Sequence, residues 1–261
     1  MVQKLFLSQT AIVTGASTGI GKALALELSR QGASLVLAAR NALALSSLAN
    51  EIQNMGGQAL AVPTDLTDPK QIHRLVQQTL DTFGAIDLLI SNAGQYIRSP
   101  ITDLRLEMIQ ESMAINFYSH VNLVLESLPH MLNRKKGHIV LVSTMDAKKG
   151  LPLDAPYVSA KFALAGFGDV LRQELYDSGI SVTTVFPGRV DTPMIENLRV
   201  PWISAKISAE ACARAIIQGI RKRKAEVILP PQTLLLYYLQ VFSPPLADLA
   251  VRIFKLEGTE I

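Results

Sequence analysis

The chain has 261 residues, 49% hydrophobic and 18% charged, which suffices for one large α/β domain with a filled core and gives no reason for two. A net charge of +3 is too mild to argue nucleic-acid binding, and the single cysteine, Cys212, excludes an internal disulfide framework and fits a reducing compartment. The N-terminus runs almost directly into a strand and a glycine-rich loop, and no apolar run reaches the roughly 20 residues of a spanning helix, so a cytoplasmic protein without a signal peptide is expected.

Taken in chain order, strand-like and helix-like segments alternate. Residues 10–13 form a short apolar run, followed by Gly15 and a helix over 20–30. Residues 34–39 and 58–62 read as the second and third strands. Asp68-Pro69-Lys70-Gln71 carries a helix-start signature, with Asp68 as the cap, Pro69 at the first helical position and Gln71 three residues after the cap. The fourth strand covers 86–90, and a long helix over 106–132 has Ile115, Val121, Leu125 and Leu128 at helical spacing. The fifth strand covers 138–143, and the next helix carries Tyr157 and runs to about 176. Strands at 180–186 and 226–229 follow, with a helix over 209–222 between them. Continuous apolar strands alternating with helices mean a parallel sheet, here of about seven strands, buried on both faces. No linker divides the chain, so residues 1–230 are read as a single domain and 231–261 as an apolar helical extension.

Two short stretches carry chemistry. Thr14-Gly15-Ala16-Ser17-Thr18-Gly19-Ile20-Gly21 lies between the first strand and the first helix. Glycines there let the backbone turn tightly and approach a pyrophosphate, while the helix N-terminus offers unpaired N–H groups and a partial positive charge. Tyr157 and Lys161 stand four residues apart, on one helix face. A free phenol titrates near about 10, and a lysine one turn away favours the phenolate. Such a pair gives a proton to a developing alkoxide or takes one from an alcohol.

With this Thr-Gly-x-x-x-Gly-x-Gly loop and Tyr157-x-x-x-Lys161, the chain resembles the short-chain dehydrogenase/reductase family over residues 8–230. Asp65-Leu66, Asn92-Ala93-Gly94, Asn116, and Pro187-Gly188 with Thr192 follow the family's order at the strand ends. The resemblance implies a Rossmann-type doubly wound sheet and a nicotinamide dinucleotide cradled by Gly15, Ser17, Thr18, Gly19, Ile20 and Gly21. It implies adenine contacts from the Asp65 carboxylate and the Leu66 amide, and a backbone ledge for ribose at Asn92, Ala93 and Gly94. Pro187, Gly188, Val190 and Thr192 are implied to hold the nicotinamide. Tyr157 is implied as the acid/base, Lys161 as the group that lowers its pKa and holds the nicotinamide ribose, and Asn116 as the holder of a relay water reaching Lys161. Asp65 is equally suited to cap the turn before Asp68, and Asn116 to satisfy a bend in the long helix.

Two positions need separate treatment. The second strand of the family selects the cofactor through an acidic residue at its end, which holds a ribose 2′-hydroxyl and repels a 2′-phosphate. Here that position is Ala39, and Arg40 follows, a guanidinium suited to a phosphate dianion, so NADP(H) is expected over NAD(H). Many NADP-preferring relatives also carry a basic residue before the middle glycine, where this chain has Thr18. The third catalytic member, a serine thirteen residues before the tyrosine in similar chains, falls on Thr144, with Ser143 one residue earlier. A strand alternates faces, so one of the two hydroxyls is expected to meet substrate. The count favours Thr144, and an insertion in the 145–156 loop would restore Ser143.

Residues 194–207, with Met194, Ile195, Leu198, Val200, Trp202 and Ile203, suggest an apolar lid. Leu128-Pro129-His130-Met131 and the apolar tail look similar to the branch holding hydroxysteroid dehydrogenases, retinoid-type reductases and long-chain ketone reductases, which implies a lipophilic ketone, aldehyde or secondary alcohol as substrate. A 3-oxoacyl thioester reductase is the enzymic alternative. A non-catalytic dinucleotide sensor is a third reading, against which the retained Tyr157 and Lys161 count. In the tail, the apolar segments 233–242 and 246–256 flank Pro244-Pro245 and follow the basic run Arg221-Lys222-Arg223-Lys224. They are suited either to an anionic membrane surface or to packing over the pocket or against another subunit. The resemblance implies a homodimer or homotetramer built through the long helix and the Tyr157 helix. His73, His120, His130 and His138 lie on different elements, so no catalytic metal is expected.

Overall fold

The computed structural model describes residues 5–260. β1 (Thr10–Thr14) leads through the glycine loop into α1 (Gly19–Arg30), then β2 (Ser34–Ala39), α2 (Ala42–Asn54), β3 (Gln58–Pro63) and α3 (Pro69–Phe83). β4 (Leu88–Ser91) is followed by α4 (Leu106–Met113), a π-helical turn at Ala114–Tyr118, and α5 (Ser119–Arg134). β5 (Gly137–Val142), α6 (Ala155–Glu174) and β6 (Ile180–Pro187) come next. The two-residue strands β7 (Val190–Asp191), β8 (Leu198–Arg199) and β9 (Ile207–Ser208) precede α7 (Ala209–Arg221) and β10 (Glu226–Leu229). α8 (Leu234–Phe242), α9 (Pro244–Phe254) and β11 (Thr259–Glu260) end the described chain.

Seven strands form one parallel sheet in the order β10-β6-β5-β4-β1-β2-β3. This is the doubly wound Rossmann-type arrangement, and its order reverses between β1 and β4, where open parallel sheets bind ligands at their C-terminal ends. Successive residues of β1 feed opposite cores, Ala11 and Val13 on one side and Ile12 on the other. One core takes Leu24, Leu28, Leu45 and Ile216 from α1, α2 and α7. The other takes Ile72, Leu75, Leu123 and Leu164 from α3, α5 and α6. α2 follows an N-cap in which the Asn41 side chain accepts from the Ala44 N–H at 3.0 Å.

The start of α3 is capped as its sequence suggests, with the Asp68 carboxylate accepting from the Lys70 N–H at 2.9 Å. Gln71 ties this cap to the end of β3. Its amide donates to Asp68 at 3.0 Å, and its carbonyl oxygen accepts from the Asp65 N–H at 2.8 Å. The long helix differs from the unbroken one the sequence suggested. Ser119 N–H reaches back five residues to the Ala114 carbonyl, and a π turn of this kind inserts one residue. One extra residue rotates everything after it by roughly 100°. Leu123, Val124, Ser127 and Met131 thereby face the core, and Leu125 is 57% exposed.

The C-terminal extension lies on the body of the protein. α8 and α9 pack on each other, and β11 pairs antiparallel with β8. Arg98 Nη2 donates to the Glu257 carbonyl at 2.8 Å, Arg189 donates to the Leu256 carbonyl, and Lys149 pairs with Asp248. Pro244 and Pro245 open α9 at its first turn. The basic run Arg221–Lys224 sits at the end of α7, and β10 follows it in the chain before α8. Among the described residues no helix is long and apolar enough to cross a membrane.

Candidate active site

A cavity of about 590 Å³ opens at the C-terminal ends of the sheet strands. At one end lies the glycine loop. Gly15 has φ +64, and a Cβ on Gly21 would stand 2.2 Å from the Gly15 carbonyl oxygen, so the loop closes this tightly only with glycine there. α1 begins directly behind it, and its cap residue Thr18 makes no side-chain bond to the helix. The first N–H groups of α1 are thus left for an anion. Ser17, Thr18, Gly19 and Ile20 line the cavity, while Gly21 is buried beneath it.

The adjoining strand ends complete this half. Thr14 Oγ1 accepts from the Asn92 N–H at 2.9 Å and the Ala93 N–H at 3.1 Å, and the Asn92 side chain donates to the Thr14 carbonyl at 2.9 Å. Asn92 therefore stitches the β1 and β4 ends together, and Ala93 and Gly94 border the cavity beside it. Arg40 is exposed and lines the rim after β2. Asp65 lines the same rim and caps its own turn, with Oδ1 accepting from the Thr67 N–H at 2.9 Å and the Thr67 hydroxyl at 2.7 Å. These bonds hold its carboxyl below the usual carboxylate range. Leu66 is buried against the cavity. Cradle, helix start and rim suit a dinucleotide, with close backbone for its pyrophosphate.

The other end gathers Ser143, Thr144, Tyr157, Lys161, Pro187, Gly188, Val190 and Thr192. Both hydroxyls at the end of β5 are buried, and they point differently. Ser143 donates to the Lys161 carbonyl at 2.9 Å, a bond to the backbone of α6. Thr144 instead lies beside the Tyr157 phenol, and its hydroxyl favours the phenolate. Lys161 Nζ donates to the Val142 carbonyl at 2.9 Å and lies 5.9 Å from the Tyr157 ring centroid. Burial brings the Lys161 ammonium down to about 7. Tyr157 is pushed up, first by burial and then by the charges of Asp146 and Asp154, and the Thr144 hydroxyl works against that rise. The sequence suggested that Lys161 would lower the phenol. In the folded protein, burial and two carboxylates set the direction instead.

Asn116 is fully buried on the π turn and does not line the cavity. Its amide donates to the Gln95 carbonyl at 2.9 Å, and its oxygen accepts from the Gln95 N–H at 3.0 Å. It thus fixes the loop that follows Gly94. Met194, Ile195 and Leu198 line the cavity, whereas Trp202, 85% exposed, and Ile203 turn to solvent. Only the first part of the 194–207 segment therefore meets the cavity.

Four neighbours were not singled out from the sequence. Asp146 lines the cavity, and its Oδ2 lies 3.3 Å from Thr144 Oγ1. Tyr96 stands edge-on to Tyr157, centroid to centroid 5.0 Å. Asp154 Oδ1 accepts from the Tyr96 hydroxyl at 2.8 Å and from Arg98 Nε at 2.9 Å. Asp146 was legible only as an acid four residues beyond the end of β5. The Tyr96, Arg98 and Asp154 set spans 58 residues of sequence and leaves no local signal.

The family model described as short chain dehydrogenase matches residues 9–201. The ketoacyl reductase HetN of Nostoc sp. is 33% identical over 224 residues, covering 85% of this chain and 78% of that protein. A fatty acyl-CoA reductase of Acinetobacter baylyi is 34% identical over 221 residues, 84% of this chain and 75% of that protein. The dehydrogenase/reductase SDR family member 7B of Rattus norvegicus is 34% identical over 238 residues, 84% of this chain and 72% of that protein.

Proposed function

This chain belongs to the short chain dehydrogenase family, and we propose that it is an NADP(H)-dependent carbonyl reductase acting on a lipophilic ketone or aldehyde and, in reverse, on the matching alcohol. Membership makes it a nicotinamide-dependent oxidoreductase of CH–OH and C=O groups. The observation that carries the finer reading is that Thr144, Tyr157 and Lys161 share one cavity with the glycine cradle.

A dinucleotide held there would supply or accept the hydride. The chain's own residues handle the charge that appears on the carbonyl oxygen. Thr144 donates a hydrogen bond to that oxygen, and Tyr157 donates the proton. Lys161 holds the β5 carbonyl of Val142, and its Nζ stands 5.9 Å from the Tyr157 ring centroid. Lowering a phenol from about 10 to 7 takes about 4 kcal/mol of differential stabilisation. The protein alone works against that, so Tyr157 rests as a proton donor, the form reduction needs. Asn116 keeps the loop after β4 against the cavity. Gly188, Val190 and Thr192 border the nicotinamide end.

Arg40 at the rim and the absence of an acid at Ala39 support NADP(H). Ile115, Met194, Ile195 and Leu198 support a lipophilic substrate. The test is dinucleotide oxidation across ketones graded by chain length and ring count, beside acetoacetyl thioesters. Activity rising with ketone size supports the proposal. Activity confined to thioesters favours a second reading, 3-oxoacyl or acyl thioester reduction, suggested by the names of two relatives.

Residues 1–230 form the catalytic domain in this reading, in a cytoplasmic homodimer or homotetramer. Exposed Tyr118, Leu125 and Leu132 on and beside α5, with Phe162 and Val170 on α6, support association through those helices. The 231–261 extension turns Leu235, Tyr238, Phe242, Leu246, Leu249 and Ile253 outward at helical spacing, with Arg252 and Lys255 exposed among them and Asp248 paired to Lys149. An apolar face with cations suits an anionic lipid surface. Flotation with anionic vesicles tests it. The full chain is expected to float, and floating equally well as a Leu235→Asp, Ile253→Asp double variant would end the idea.

A further inference from the structure

The carboxyl of Asp146 is the one acid that both lines the cavity and touches the Thr144–Tyr157 pair among the described residues. Thr144 has a single hydroxyl proton and two acceptors for it, Asp146 Oδ2 at 3.3 Å and the Pro187 carbonyl at 3.5 Å. Its oxygen already accepts from the Asp146 N–H at 3.2 Å, so the turn fixes the two side chains against each other. An ionised carboxylate is the strongest of these acceptors. It holds the Thr144 hydroxyl in place until a carbonyl oxygen enters to take its hydrogen bond.

Resting on the carbonyl-reductase reading, we infer that Asp146 is a positioning residue whose carboxylate orients the Thr144 hydroxyl and whose charge keeps Tyr157 in its proton-donating form. The device biases the pH range of the two directions, carrying reduction to higher pH and delaying oxidation, which needs the phenolate. Every charged group around the pair fits this assignment. Asp154, at the start of α6, is compensated by Arg98 Nε at 2.9 Å and the Tyr96 hydroxyl at 2.8 Å from the loop after β4. Lys161, on Tyr157's own helix, is turned to the Val142 carbonyl. Arg189, after β6, faces both acids and spends its hydrogen bonds on Leu256 and Ser204. Of these two acids, Asp146 is the one whose carboxylate meets Thr144. Burial and the Asp154 charge push it up to about 6, so it changes state near neutrality.

The sign follows directly. A negative charge beside a phenol raises its pKa, so removing the charge lowers it. The experiment compares wild type with Asp146→Asn, Asp146→Ser and Asp146→Glu, each also carrying Tyr157→Phe as its reference. Tyrosinate absorbance is recorded against pH with saturating oxidised dinucleotide, and the alkaline limb of carbonyl reduction is recorded in parallel. The two neutral variants should move the Tyr157 onset and the alkaline limb acid by on the order of one pH unit, and Asp146→Glu should return both toward wild type. An onset unmoved or moved alkaline in both neutral variants overturns the assignment. The absorbance needs no substrate, so it reads Asp146 even if the ketone panel fails.

Discussion

Ser143 and Thr144 make opposite predictions from adjacent positions. Ser143 spends its hydroxyl on the Lys161 carbonyl at 2.9 Å and is 2% exposed. Ser143→Ala removes one buried neutral hydrogen bond, worth about 1 kcal/mol, which in a chain of this size lowers Tm by roughly 2–4 °C. The chemistry is untouched, so kcat should stay within about twofold of wild type. Thr144→Val keeps the shape of the side chain and removes the hydroxyl that faces Tyr157. Loss of one donor to a developing oxyanion costs about 100- to 1,000-fold in kcat, ~2.7–4 kcal/mol. The Asp146 N–H, 3.2 Å away, also loses its acceptor, so about 1–3 kcal/mol of stability goes with it. The assay is kcat and KM for carbonyl reduction at saturating dinucleotide, with Tm from circular dichroism. A crippled Ser143→Ala beside an active Thr144→Val refutes the assignment of the two hydroxyls.

Arg40→Asp replaces a phosphate-binding cation with a repelling anion, and kcat/KM for NADPH should fall about 10- to 100-fold while that for NADH holds or rises. An unchanged ratio removes Arg40 from cofactor choice. Burial, aided by the Arg223 charge, brings His138 down to about 4, below its unfolded value of about 6.5. The unfolded chain then binds more protons between those values, so stability is lost as pH falls from about 6.5 to 4, by about 3 kcal/mol. Urea melts of His138→Gln at pH 7, 5 and 4 should show a flatter dependence than wild type, and parallel curves would contradict it. Arg189→Met releases the tail carbonyl of Leu256 beside the lid. KM for the carbonyl should rise roughly tenfold, ~1.4 kcal/mol, with dinucleotide affinity from fluorescence titration unchanged. Equal loss of both would place Arg189 in general folding.

The sheet was legible because its strands are continuous apolar runs with sharp ends. Residues 34–39 and 226–229 match β2 and β10 to the residue. The glycine loop was equally legible, since its spacing is a local requirement of one turn and one helix start. What escaped depends on distance. A π turn at Ala114–Tyr118 is invisible to a constant period, and it exposes Leu125 while burying the small polar Ser127. β8 pairs with β11 across the 59 residues between Arg199 and Thr259, and two-residue strands carry no pattern of their own. Alternation said that one of Ser143 and Thr144 faces the cavity, but the partner that takes the other, the Lys161 carbonyl, comes from packing of α6 on β5. The fall in Lys161 and the rise in Tyr157 likewise follow from burial, which a pair spacing does not contain.

The central claim is that Tyr157 gives the proton while the glycine cradle holds the dinucleotide independently of it. Its most direct measurement is single-turnover NADPH oxidation by wild type and Tyr157→Phe on the best ketone of the panel, beside NADPH affinity for both proteins. The account predicts hydride transfer slower by about 100- to 10,000-fold in Tyr157→Phe with affinity within about twofold. Equal rates in the two proteins would contradict it.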